Sequence, residues 1–127
     1  MKTIFVLMIS LLFFSTVTGQ NNKLRITFLK TENEYLKTLA DGKKECSFII
    51  EGIKSDKQAK ALENYIRGYR GIEIFSLTKE IDGKYKAWGV FYSFADAQYF
   101  KNLFKLIEVD KVRINNEWIN IENFKTL

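Results

Sequence analysis

The side chains that most often do chemistry are scarce in this chain. It has no histidine and one cysteine, Cys46. Without imidazole it lacks both the commonest general acid/base and the commonest metal ligand. One thiol makes neither an internal disulfide nor a metal site. Cys46 follows Glu45 and opens an apolar run, so it reads as a small residue partly buried at a strand start, the usual fate of free cysteine. An intermolecular disulfide is its lesser alternative. Acid/base work would fall to carboxylates, with Glu51, Glu73 and Glu80 the candidates on predicted strands. Nothing in their spacing puts two in one cleft, and no glycine-rich phosphate loop or nucleophile elbow is present. The expectation is a non-enzyme with no cofactor.

Ser55 and Gln58 form the most specific local pattern. A serine followed three residues later by glutamine is a capping box, in which each side chain satisfies a backbone N–H at a helix start. The helix after it carries Ala59, Leu62, Ile66 and Tyr69 on one stripe, with Lys57, Lys60, Glu63 and Arg67 outside. Gly71 is its expected end. Before it, 48–53 reads as a strand. After it, strands are expected at 72–81 and 84–92, joined by the hairpin signal Asp82-Gly83. Ser93 is placed at the start of a second helix with the stripe Ala97, Phe100, Leu103, Phe104 and Ile107. A strand at 109–114 follows, and Asn115-Asn116 turns it into a last strand at 117–121.

This order predicts an α+β fold, a ferredoxin-like βαββαβ sandwich with an extra C-terminal strand and a short N-terminal extension. The expected division is a signal peptide at 1–19, an extension at 20–44 and the ferredoxin-like domain at 45–127. Residues 1–19 read MKTIFVLMISLLFFSTVTG: one basic residue, an apolar run, then small residues before a cleavage point at Gln20. The apolar run is shorter than the ~20 residues of a membrane span. The expected protein is therefore exported, periplasmic or secreted, and free of the membrane once the signal is removed. In 20–44, Leu24 to Leu29 is a candidate strand, and Thr31-x-x-Glu34 is a second capping box before a short helix holding Tyr35, Leu36 and Leu39.

The formal charge is +5 overall, and +4 without Lys2 of the signal. The signs are interleaved, as on a solvated mixed-charge surface, and a nucleic-acid partner would call for clustered basic residues.

The stretch Ile50-Glu51-Gly52-Ile53-Lys54-Ser55-Asp56-Lys57-Gln58 resembles the metal loop of heavy-metal-associated (HMA) domains, hydrophobic-Glu-Gly-Met-Thr-Cys-x-x-Cys. Gly52 matches the glycine, Ile53 stands for the methionine, and Gly71-Ile72 falls where the family has Gly-Val. The resemblance covers 48–112. It implies the HMA scaffold, but Ser55 and Gln58 occupy the two cysteine positions. A soft metal such as Cu(I) needs thiolates, so Ser55 and Gln58 are a degenerate metal loop that serves as a helix cap. The stretch Gly89-Val90-Phe91-Tyr92-Ser93-Phe94-Ala95-Asp96-Ala97 is similar to the Gly-Pro-Phe-x-Ser-x-x-Glu-Ala segment of sporulation-related repeat (SPOR) domains, which bind peptidoglycan glycan chains. The first half of the chain departs from that family, with Lys54 in place of its usual phenylalanine.

Both resemblances imply a binding module, its partner a protein or a cell-wall glycan. Period-2 alternation assigns the surface. If Glu51 avoids the core, Phe48, Ile50 and Gly52 face the helices. Ile49, Ile53, Trp88, Val90 and Tyr92 then share the open sheet face with Lys86. A contiguous apolar patch of that size calls for a cover. Either the N-terminal segment or the strand around Trp118 folds across it, or it binds a partner through Trp88 and Tyr92, with Ile49 and Ile53 beside them.

Overall fold

The computed structural model describes residues 23–127. The expected signal peptide lies outside the described residues. The fold is α+β, with two helices on a mixed seven-stranded sheet. Strands β1 (Leu24–Leu29), β2 (Lys37–Thr38) and β3 (Lys44–Glu51) precede helix α1 (Asp56–Arg67). Strands β4 (Ile72–Lys79) and β5 (Tyr85–Phe91) precede helix α2 (Ala97–Leu106), and β6 (Val109–Ile114) and β7 (Glu117–Asn120) close the chain.

The sheet order is β4-β5-β3-β1-β6-β7, with β2 also paired to β3. In a simple split βαβ order, β6 would lie directly beside β3. Here β1, from the segment read as an extension, lies between them, antiparallel to β3 and parallel to β6. The reason is visible in its alternation: Leu24, Ile26 and Phe28 are buried while Arg25 is exposed. A strand with one wholly apolar face gains most at the centre of a sheet.

One face of the sheet holds the core. Phe28 packs against Phe48, Phe100 and Phe104, with ring centroids 5.8 Å from each. Leu62 and Ile66 of α1 and Phe100, Leu103 and Phe104 of α2 join the same cluster. After β7, a short 3₁₀ turn at Ile121–Asn123 returns the chain so that Phe124 is buried beside Phe28.

Local signals differ from expectation at five places. The Thr31-x-x-Glu34 box caps no helix. Glu32 and Asn33 both take positive φ, 52° and 69°, and Thr31 and Glu34 exchange backbone hydrogen bonds at 2.7 and 3.0 Å. Two left-handed residues make a tight reversal and cannot continue a right-handed helix. Helix α1 ends at Gly68, not Gly71. The cap of α2 is Asp96, which accepts from the Tyr99 N–H at 2.9 Å, not Ser93. The β4–β5 loop includes Ile81, with Glu80 N–H bonded to Lys84 O at 2.7 Å. Last, β3 stops at Glu51 because Gly52 adopts φ +105°. Alternation ends there, so Ile53 turns into the core instead of onto the open face.

Candidate functional site

The side-chain oxygens of Ser55 and Gln58 are both occupied by backbone N–H groups, while Gln58 Nε2 is buried with no acceptor among the described residues. Ser55 Oγ accepts from Gln58 N–H at 3.1 Å, and Gln58 Oε1 accepts from Lys54 N–H at 2.6 Å. That is a capping box moved one residue outward. Among the described residues, no three metal-capable side chains cluster. Cys46 is fully buried opposite Gly89, and burial pushes its thiol far above the ordinary range. A thiol held protonated is a poor nucleophile.

The three candidate carboxylates stand apart. Glu73 is ion-paired to Lys43. Glu80 sits at the mouth of the β4–β5 loop. Glu51 faces Arg25 across the β1–β3 ladder and lines a cleft of about 230 Å³ with Lys23, Arg25, Gly52 and Asp110. Asp110 lies at a register shift between β1 and β6, and its Oδ1 is buried with no hydrogen-bond donor among the described residues. Sequence gave no sign of this cleft, because its lining comes from three strands joined only by the sheet order.

The open face forms around Trp88. Cross-strand pairing lines up Leu29, Ser47, Trp88 and Ser76 in one row, and Trp118, Arg113, Thr27, Ile49, Lys86 and Thr78 in the next. Trp88 is half-buried, and its Nε1 donates to Glu45 Oε2 at 2.7 Å. Val90 is buried and Ile49 half-buried beside it. Of the expected anchors, therefore, Trp88 and Ile49 do share this face, and Ile53 does not. Tyr92 lies past the end of β5, where its ring meets Phe94 edge-on at 6.2 Å and lies 5.7 Å from the Lys43 ammonium. Tyr92 and Phe94 form a separate exposed corner.

Among the described residues, neither β1 nor the strand around Trp118 crosses the face. The N-terminal strand lies within the sheet and the strand around Trp118 extends its edge, which puts Trp118 on the open face itself. Trp118 is 38% exposed. The guanidinium carbons of Arg25 and Arg113 each lie 5.7 Å from its ring centroid, within cation–π range. Alternation adds Lys111 and Lys86 to the same face. Four cations thus stand with Glu45 and Glu51, with Asp110 at the cleft beside Arg25, and Glu45 is engaged by the Trp88 indole. Sequence reading missed Arg25, Arg113 and Trp118 as a group. The signal available was Lys111 and Arg113 at alternate positions of β6, with Trp118 opposite Arg113 in the expected hairpin; only the strand order adds Arg25 of β1. No protein-family model, curated protein or solved structure matches the chain.

Proposed function

We propose that this chain is an exported, non-catalytic binding module that contacts an acidic protein surface through the Trp118 end of its open sheet face. The observation that carries this reading is the pair of guanidinium groups, Arg25 and Arg113, each 5.7 Å from the ring of half-exposed Trp118. Tryptophan and arginine are the residues most enriched at binding hot spots, and arginine is suited to carboxylates. The scaffold is read as an HMA-like, ferredoxin-like arrangement without its metal thiols: β3-α1-β4 and β5-α2-β6 keep the split βαβ sequence, and β1 widens it.

The test is retention on immobilised poly-L-glutamate and on poly-L-lysine over a salt gradient. Retention on glutamate alone, weakening with salt and falling about tenfold (some 1.4 kcal/mol) in the Arg25→Gln/Arg113→Gln variant, supports the reading. Equal retention on both polymers would refute it. Trp118-dependent co-sedimentation with purified peptidoglycan, without glutamate binding, would move the assignment to the SPOR-like glycan reading.

A further inference from the structure

The two edges of the sheet are treated differently. At the β4 edge, side chains of α1 occupy the outward backbone groups: Glu63 Oε2 accepts from Leu77 N–H at 2.8 Å, and Arg67 Nε donates to Phe75 O at 2.9 Å. Such shielding prevents a further strand from pairing. Among the described residues the β7 edge has no equivalent. Asn115 and Asn116 take positive φ, 54° and 65°, in a two-residue hairpin loop. The flanking pair Ile114–Glu117 is then hydrogen-bonded, and Val112–Ile119 is the next bonded pair. Trp118 N–H and C=O and the Asn120 N–H therefore point away from β6. Among the described residues none of these three groups has a hydrogen-bond partner outside the β6–β7 ladder.

On one face, the charged side chains of β6 and β1 nearest this open edge are Arg113, Lys111 and Arg25, with Glu51 and Asp110 farther in beside Arg25. Arg113 from β6 and Arg25 from β1 each stand 5.7 Å from the ring of Trp118 on the edge strand. Lys111 is the neighbour of Asn120. The opposite side of β7 carries half-buried Ile119. We propose that an extended acidic segment of a partner protein adds to the sheet as a strand on β7. Its main chain pairs with Trp118 and Asn120. Its acidic side chains, two residues apart, meet Arg113 with Arg25 and then Lys111, and the residue between them lies apolar against Ile119. Strand addition draws affinity from backbone bonds and specificity from alternate side chains. The inference rests on the acidic-partner reading above and adds how the partner docks.

The probe is an end-capped peptide of alternating glutamate and valine, added to the full mature protein and followed by amide hydrogen exchange. The expected result is saturable binding that slows exchange at Trp118 and Asn120 by at least about tenfold, a change of some 1.4 kcal/mol in opening, and leaves Phe75 and Leu77 unchanged. N-methylation of the glutamates, which face β7 with their N–H groups, should abolish binding, and N-methylation of the valines should not. Peptide binding without protection at Trp118 and Asn120 would overturn strand addition and leave the acidic-partner reading standing. Retention on poly-L-glutamate with no peptide binding would do the same. Failure of both probes would overturn both. Concentration-dependent protection of the same amides without peptide would show the occupant to be a second copy of the chain.

Discussion

The Glu63 carboxylate on α1 accepts a hydrogen bond from the backbone N–H of Leu77 on β4 at 2.8 Å, although the helical pattern assigns Glu63 to the outside. The side chain is buried because β4 is the sheet edge and α1 lies along it. Burial alone would raise the carboxyl above its ordinary value of 4.5. The Leu77 N–H, Arg67 and Lys60 outweigh burial and hold it below. A depressed folded value means that the carboxylate's contribution is complete above the unfolded value and is lost as pH falls through the folded one. Glu63→Ala should cost about 1–3 kcal/mol near pH 7, the usual cost of orphaning such a group. Urea midpoints of wild type and variant should converge as pH falls through the folded value, below 4.5, and the carboxylate protonates. A pH-independent difference would show that the carboxylate charge plays no part.

Gly71 takes φ +89°, and a Cβ there would lie 2.8 Å from Phe94 Cζ. Gly71→Ala should therefore destabilise by about 1–2 kcal/mol from the left-handed backbone, with a further steric part from displacing the ring. In the Gly71→Ala/Phe94→Ala protein the steric part should vanish and the backbone part remain. A double-mutant cycle on thermal midpoints isolates that coupling, and zero coupling would show that Phe94 yields freely.

Ser55→Ala should cost about 1 kcal/mol, the loss of an N-cap oxygen, and Ser55→Asp should be nearly neutral. Titration with Cu(I), Zn(II) or Cd(II) against a competing chelator should show no sub-micromolar site, since Ser55 and Gln58 offer no thiolate. Stoichiometric tight binding would restore a metal-carrier role.

Trp88→Phe removes only the indole N–H donated to Glu45. It should cost about 1.5–3 kcal/mol, the range for a bond to a charged acceptor. Trp88→Ala should cost more in packing, though its half-burial keeps that part under the roughly 3–5 kcal/mol of a fully enclosed Trp. Unchanged denaturation midpoints in both variants would mean that Trp88 holds nothing in place.

Legibility followed the range of the interaction. The α2 stripe Ala97, Phe100, Leu103, Phe104 and Ile107 is buried throughout, and the Asn115-Asn116 turn forms as its residues predict, because both depend on neighbours within four positions. Thr31-x-x-Glu34 failed although it is equally local: its residues suit a cap and a tight reversal alike, and pairing of β2 with β3 selected the reversal. Ile53 failed because one backbone angle at Gly52 ended the alternation that placed it.

From its sequence alone, the chain is an α+β protein without histidine, with Ser55 capping its first helix and without the thiolates of the metal loop it resembles. Hydrophobic periodicity and residue chemistry suffice for those statements, since each is carried by a residue and its near neighbours. Only the tertiary structure decided that β1 enters the middle of the sheet, that α1 seals the β4 edge, and that Arg25, Arg113 and Trp118 meet at the other. Arg25 is far along the chain from Arg113 and Trp118, which the Asn115-Asn116 hairpin already pairs. What joins them is the order in which strands pair, which depends on how all the apolar faces are buried together.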